Sequence, residues 1–325
     1  MAETSTRYRW LVLATLLATY GLIIVGGIVR ATGSGDACPD WPRCHGELIP
    51  PLEQDVLIEF SHRLIASVVG FLVLGTLLGA WFWERQNKLL VWGSVLALVL
   101  VIGQVILGGM TVLNDLSADL VMAHLSMAAT LLATLIVLAV ASFRPLGRFD
   151  VRGPTAAFRN LVAFAALATF LLMLTGSYVS GSGAALAFRD WPLFDGRLVP
   201  DGGRLAMIHF THRIAAAAVG LVIAYVALRA WRTQRAHAPI VLASIAALAI
   251  YVAQVFIGAA NIWTLLKPAA AASHLAVAAA LWATLVADTL FAHQAAQEAP
   301  ARAGEPRERL LPSTGALPAQ RPSYC

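Results

Sequence analysis

The sequence has little charge, few cysteines and no short segments of alternating hydrophobicity. Only 13% of its 325 residues are charged, whereas soluble domains carry roughly 25%, so the composition excludes an ordinary soluble protein. The missing alternation argues against a membrane β-barrel. Cys38 and Cys44, with only His45 nearby, do not have the spacing of a zinc site. What remains is 59% hydrophobic sequence, arranged in runs of about twenty residues, the length a helix needs to cross a membrane.

These runs predict an all-α membrane protein with eight transmembrane helices. The predicted spans are Trp10–Val29, Ile58–Trp83, Leu89–Val112, Asp119–Phe143, Asn160–Val179, Leu205–Ala230, Pro239–Ile262 and Ala269–His293. The chain divides into an N-terminal half (1–143), a cytoplasmic linker (144–159), a C-terminal half (160–293) and a tail (294–325). The tail is rich in Ala, Pro, Arg and Glu, which leaves little to bury, and we expect it to be disordered and cytoplasmic.

The positions of Lys and Arg predict the orientation in the cell membrane, because short cytoplasmic loops collect positive charge. The basic residues that follow or precede spans on one side are Arg7, Arg9, Arg85, Lys88, Arg144, Arg148, Arg152, Arg159, Arg229, Arg232 and Arg235. We therefore expect both termini to be cytoplasmic and the loops Arg30–Leu57 and Ser180–Arg204 to be external. The net charge of +5 reflects this topology and is no signal of nucleic-acid binding.

An internal repeat organises the chain. A shift of 150 residues places identical residues on each other. The matches are Asp40-Trp41-Pro42 with Asp190-Trp191-Pro192, His62-Arg63 with His212-Arg213, Gly26 with Gly176, Gly70 with Gly220, Gln104 with Gln254, Gly108 with Gly258, and His124 with His274. Each half has an even number of spans, so the repeat predicts two four-helix bundles in the same orientation, related by a pseudo-twofold axis along the membrane normal.

Four histidines are the main candidates for chemistry. His62, His124, His212 and His274 each lie near the outer end of an even-numbered span, and ionisable side chains within spans usually mark a functional site. Each half thus offers two imidazoles on two helices, an arrangement that can bind a haem iron from both faces. The alternative for any single histidine is an interhelical hydrogen bond.

A glycine pair and a glutamine pair accompany the histidines in the repeat. Gly70 and Gly220 share a helix face with the preceding histidines, and we expect their missing side chains to let a flat macrocycle approach the backbone. Gln104 and Gln254 are predicted to connect helices rather than to contact substrate.

Arg63 and Arg213 follow two of the histidines. A guanidinium at the outer interface could pair with haem propionates. Snorkelling toward lipid head groups is the equal alternative.

Together, these motifs resemble the haem A synthase family. The family pattern has eight helices in two halves, a Glu-x-x-His-Arg element at the second span and a histidine at the fourth, sixth and eighth. Here it reads Glu59-Phe60-Ser61-His62-Arg63, His124, His212-Arg213 and His274, and the resemblance covers about residues 10–293.

The resemblance implies oxidation of the C8 methyl group of haem O to a formyl group, giving haem A for terminal oxidases. It also implies that His212 and His274 hold a haem B cofactor. The substrate haem would bind in the N-terminal half, at His62, His124 and Arg63. A haem O synthase is the implied partner for delivery, together with the lipid membrane and an electron donor or acceptor.

The repeated helix element differs between the halves at one position. It reads Glu59-x-x-His62 in the first half and His209-x-x-His212 in the second, so a carboxylate is present in only one predicted pocket. Glu59 could transfer protons or stabilise positive charge as the methyl carbon is oxidised. The alternative is an ion pair with Arg63 or another arginine. His209 could be a haem neighbour or a packing residue.

Cys38 and Cys44 lie in the first external loop, and the cysteine-bearing members of the family form a disulfide there. We expect the pair to stiffen the loop in an oxidising compartment, while its position over Glu59 also leaves a redox role open. The second external loop has no cysteine.

Two other functions compete with this interpretation. A diheme membrane electron carrier of the cytochrome b type would also need two bis-histidine pairs, and a transporter with a duplicated bundle could use its histidines structurally. A carrier normally stacks its haems across the membrane. Because all four histidines here lie toward the outer side, we favour haem modification.

Overall fold

The structure is a computed structural model that describes residues 4–47, 49–144, 146–147 and 154–303. In these residues the chain forms eight long α-helices, and two isolated bridges are the only strand-like pairing. The helices are α1 (Thr6–Thr32), α2 (Gln54–Trp83), α3 (Lys88–Leu113), α4 (Ala118–Phe143), α5 (Pro154–Gly181), α6 (Arg204–Thr233), α7 (Ala238–Trp263) and α8 (Pro268–Ala303). All eight are long and apolar enough to cross a membrane. The predicted fold class is confirmed.

Two helices extend well beyond their predicted spans. α5 begins at Pro154, inside the predicted linker, and α8 continues to Ala303, so residues 294–303 of the predicted disordered tail are helical. Two glutamines in the extra turns of α8 contact the α4–α5 connection: Gln294 donates to the Arg144 carbonyl and Gln297 accepts from the Gly147 N–H. Residues 148–153, with Arg148 and Arg152, and the rest of the tail, 304–325, lie outside the described residues.

Each half is a ring of four helices. In the N-terminal half each helix from α1 to α4 packs against the next one, and α4 also packs against α1. Helices α5 to α8 repeat this order. The halves meet where α1 packs on α8, α4 packs on α5, and α4 crosses α8. Hydrogen bonds inside this interface include those from the Tyr20 hydroxyl to the Ala276 carbonyl at 3.0 Å and from Trp282 Nε1 to the Ala129 carbonyl at 3.2 Å.

The outer surface of the bundle is apolar. Phe71 on α2 and Leu221 on α6 are both 74% exposed, and large aliphatic and aromatic side chains cover the outward faces of most helices. In water such a surface would drive aggregation. In a lipid bilayer it meets a matching solvent, which agrees with the eight membrane-length helices.

The helix boundaries recur at the spacing of the sequence repeat. α2 and α6 begin at Gln54 and Arg204, and α3 and α7 at Lys88 and Ala238. Three hydrogen bonds also join residues that are 150 positions apart: Arg30 to Ser180, Gln294 to Arg144, and Gly147 to Gln297. Residues near a twofold axis contact their own equivalents, as these do. The pseudo-twofold symmetry itself stays a prediction.

Candidate functional site

Each of the four histidines packs against a glycine on the preceding helix. The pairs, with the distance from an ideal glycine Cβ to the histidine Cε1, are Gly26–His62 (3.1 Å), Gly108–His124 (3.5 Å), Gly176–His212 (3.1 Å) and Gly258–His274 (3.1 Å). At three of these positions even a methyl group would press on the ring. The glycines therefore fix where the imidazoles lie.

The histidines lie at one end of the bundle and are half-buried. α2 begins at Gln54 and α4 at Ala118, so His62 and His124 lie about two turns inside the same end. His212 and His274 lie at the same depth in the C-terminal half, since α6 begins at Arg204 and α8 at Pro268.

The donor set of these histidines fits haem. In the part of the chain that the structure describes, the Nδ1 atoms of His62, His124 and His274 are buried without a hydrogen-bond partner. These rings are therefore not tied to the protein by a hydrogen bond at Nδ1, and neutral imidazole is a good ligand for iron. Each half thus has two imidazoles at similar depth on two helices, each packed against a glycine. Such a pair can hold one porphyrin.

The first loop, residues 33–53 between α1 and α2, is tied to α2 by Glu59 and Arg63. Glu59 is 3% exposed. Its Oε2 accepts the Cys38 N–H at 2.8 Å, and its Oε1 pairs with Arg63 at 2.5 Å. The ion pair that the sequence left open as the alternative role of Glu59 is therefore present.

All N–H groups of the Arg63 guanidinium are used in hydrogen bonds to Glu59 and to the first loop. Its five N–H groups match five hydrogen bonds: two go to Glu59 and one each to the carbonyls of Cys38, Asp40 and Arg43. In this arrangement no N–H of Arg63 remains for a haem propionate. The sequence could not reveal this, because the acceptors are carbonyls whose positions depend on the folded loop.

Cys38 and Cys44 form the expected disulfide, with Cα atoms 4.8 Å apart. Both residues are buried, and they pack with Val56 and Phe60 of α2. The bond lies directly beside Glu59, which accepts the Cys38 N–H. The disulfide thus closes the same loop that Arg63 anchors.

The second loop, residues 182–203 between α5 and α6, has an aromatic pair in place of the disulfide. Phe188 and Phe194 are the repeat equivalents of Cys38 and Cys44, and their rings meet edge to face at 5.1 Å. Arg213 lies over both rings, at 5.6 and 5.0 Å. It also donates to His209 Nε2 and to the carbonyls of Asp190 and Leu193. His209 itself contacts Phe188, so the structure places it as a packing partner of this loop.

One acidic residue in each loop is held charged by the backbone. Asp40 accepts the N–H groups of Gly46 and His45, and Asp190 accepts those of Gly196 and Asp195. These hydrogen bonds lower the pKa of both carboxyls below the ordinary aspartate value. The loops therefore keep their turn geometry throughout the physiological pH range.

Comparison with known proteins gives the family. The model of the cytochrome oxidase assembly proteins, COX15-CtaA, matches residues 8–57 and 53–286. A heme A synthase of Shouchella clausii (strain KSM-K16) is 31% identical over 261 residues, covering 77% of this chain and 85% of the relative. The chain belongs to the haem A synthase family. A heme A synthase of Geobacillus kaustophilus (strain HTA426) is 29% identical over 279 residues, covering 82% of this chain and 85% of the relative.

Membership of the haem A synthase family confirms the resemblance seen in the sequence. The matched segments contain the Glu59-x-x-His62-Arg63 element and the other three histidines. The predicted helix-connecting role of two glutamines is also confirmed, since Gln104 donates to the His124 carbonyl and Gln254 to the His274 carbonyl.

The expected role of Gly220 is wrong. A Cβ at Gly220 would overlap the Tyr251 hydroxyl, which reaches across from α7 and donates to the Ala216 carbonyl at 2.7 Å. The space is filled by a side chain and not left for a macrocycle. At Gly70, in contrast, no heavy atom lies within 4 Å of the Cβ position, so the expected open space exists in the N-terminal half.

Two residues of the C-terminal half, Tyr251 and Thr175, were not predicted from the sequence. Tyr251 fills the gap at Gly220, and Thr175 Oγ1 lies 2.8 Å from His212 Nδ1. Their repeat equivalents are Val101 and Val25. The signal that could reveal them is the set of positions where the two halves differ, because both residues break the repeat.

Proposed function

We propose that the chain is a haem A synthase, which oxidises the C8 methyl group of haem O to a formyl group and so makes haem A for terminal oxidases. The observation that carries this proposal is the family match across residues 8–57 and 53–286, which includes all four histidines. The chain is then an oxidoreductase that acts on a CH group by successive hydroxylation of the methyl carbon.

We assign the two haem sites to the two halves. His212 and His274 would hold haem B, which supplies one-electron redox chemistry when bound. His62 and His124 would hold the substrate haem O. The glycines packed against each of the four imidazoles support both assignments.

Glu59 is the proposed catalytic group of the N-terminal half. It lies one turn before His62 on the same helix face and is buried. Its carboxylate can stabilise positive charge that develops at the methyl carbon, or accept a proton from it. Arg63 would hold this carboxylate in position. Arg213 uses three N–H groups on the second loop and His209, and its remaining donors keep it a candidate for a propionate of haem B.

The proposed surroundings of the enzyme follow from its substrate and its surface. Haem O is a hydrophobic ligand that reaches the bundle through lipid or from a haem O synthase. The apolar outer surface suits a multi-pass protein of the inner membrane, with the haem sites toward the outer side. A separate electron donor or acceptor would return haem B to its starting oxidation state.

Pigment extraction and histidine variants test the proposal. Purified protein should carry haem B together with haem O or haem A. His274→Ala should lose most of the b-type absorbance, whereas His62→Ala should keep it and lose haem A formation. The reverse pattern would exchange the roles of the halves. Haem B without haem O or A would indicate the diheme electron carrier, and protein without haem would indicate a transporter.

A further inference from the structure

His212 has a hydrogen-bond partner that the other three histidines lack. Its Nδ1 lies 2.8 Å from Thr175 Oγ1 on α5. In the described residues the Nδ1 atoms of His62, His124 and His274 have no such partner. The C-terminal half therefore contains one imidazole that is held by two contacts, with Gly176 at Cε1 and with Thr175 at Nδ1.

The direction of this hydrogen bond follows from the threonine. Thr175 Oγ1 donates its single hydrogen to the Leu172 carbonyl at 2.8 Å. The hydroxyl can then only accept from His212, so the imidazole carries its hydrogen on Nδ1. Its lone pair is on Nε2, the nitrogen that is free to bind iron. Thr175 thus selects the tautomer that a haem ligand needs.

The equivalent position in the N-terminal half cannot do this. Val25 stands where the other half has Thr175, and a valine side chain neither donates nor accepts a hydrogen bond. The glycine contact is the same, since Gly26 approaches His62 as Gly176 approaches His212, both at 3.1 Å. The halves thus agree in how the ring is packed and differ in whether its tautomer is fixed.

We propose that Thr175 is the positioning residue that makes the C-terminal haem permanent, and that Val25 leaves the N-terminal haem exchangeable. This inference rests on the proposed function, in which one half retains haem B and the other must take up substrate and release product. A hydrogen bond to the second nitrogen of a histidine ligand orients the ring and raises its basicity, which strengthens the bond to the metal. Retention is useful for a cofactor and harmful for a substrate site.

Haem retention in purified full-length protein tests the role of Thr175. Transfer of haem B to excess apomyoglobin should be about 10–100-fold faster from Thr175→Val than from wild type. Thr175→Ser, which keeps the hydroxyl, should transfer at the wild-type rate. The reduction midpoint of the b-type haem should rise in Thr175→Val, because the ligand is less basic, and return in Thr175→Ser. Thr289→Val is the matched control, since its hydroxyl donates to Leu285 of its own helix.

The reciprocal substitution tests the role of Val25. Val25→Thr should increase the amount of haem O and haem A that copurifies per chain, whereas Val25→Ala, which adds no hydrogen-bonding group, should not. A rate of haem B transfer from Thr175→Val equal to that of wild type would overturn the inference. If Thr175→Val does not fold, unchanged haem O and A content in Val25→Thr overturns it instead. Full haem B content in His212→Ala would instead refute the assignment of haem B to the C-terminal half, which is a distinct result.

Discussion

Glu59 and Arg63 lie one turn apart on α2, and their ion pair connects that helix to the first loop. The Glu59 carboxylate uses one oxygen for Arg63 and the other for the Cys38 N–H. A carboxylate in this position can serve the loop, the chemistry or both. Substitutions at the two residues separate these roles, because only Glu59 is proposed to act on the substrate.

Glu59→Gln should abolish most of the chemistry, and it also removes the charge that pairs with Arg63. The amide keeps the shape of the side chain but loses its negative charge and its acid–base capacity, so we expect haem A formation to fall about 10²–10⁴-fold. Haem B in the other half should be retained. Conversion of haem O in cells, with haem B measured on the purified protein, checks this. Near-normal haem A would refute the catalytic role, and joint loss of haem A and haem B would make the pair structural.

Arg63→Lys should show the opposite balance. A lysine retains positive charge beside Glu59 but cannot form the five hydrogen bonds of the guanidinium. We expect the variant to lose about 1–3 kcal/mol of stability for each buried loop carbonyl that is left without a donor, with a smaller effect on haem A formation per folded protein. The midpoint of thermal unfolding in detergent measures it. An unchanged midpoint would mean that the loop does not depend on Arg63.

The helix pairs α2–α3 and α6–α7 differ in the space beside one glycine, Gly70 on α2 and Gly220 on α6. Gly220→Ala would force the Tyr251 side chain to move, and such overpacking costs about 1–3 kcal/mol. Gly70→Ala meets open space and should be neutral or stabilising by up to about 1 kcal/mol, because alanine favours helix. The matched substitutions are compared by thermal unfolding. Equal effects would show that the gap at Gly70 is not open in the membrane.

The two loops should respond differently to a reducing agent. Reduction of the Cys38–Cys44 bond removes a loop closure that contributes about 2–3 kcal/mol, whereas the Phe188–Phe194 contact is not affected. Limited proteolysis followed by mass mapping should therefore show new cuts in residues 33–53 on reduction and none in residues 182–203. New cuts in both loops, or in neither, would contradict this.

At the scale of the whole molecule, the orientation in the membrane stays a prediction. In a Cys325→Ser background, Asp201→Cys on the second loop and Arg235→Cys on the α6–α7 connection lie at opposite ends of the bundle. An impermeant maleimide added to intact cells should label Asp201→Cys alone, and both after lysis. Labelling of Arg235→Cys alone would place the termini outside.

The helices could be predicted from hydrophobic runs because lipid requires them, and the four histidines could be predicted because they repeat. The ends of α5 and α8 could not, since polar turns such as Gln294–Gln297 are stabilised by contacts with a distant connection. The targets of Arg63 and the filling of Gly220 were also out of reach. Both depend on atoms far away in sequence, whose positions exist only in the folded chain.

The aromatic pair of the second loop should make that loop more sensitive to cold than the first loop. Burial of apolar surface stabilises less as temperature falls, whereas a covalent bond holds at any temperature. Phe188 and Phe194 should therefore hold their loop less firmly on cooling, while Cys38 and Cys44 keep theirs. Near freezing, we expect the second loop to loosen first, which would appear as new protease cuts in residues 182–203 and none in residues 33–53.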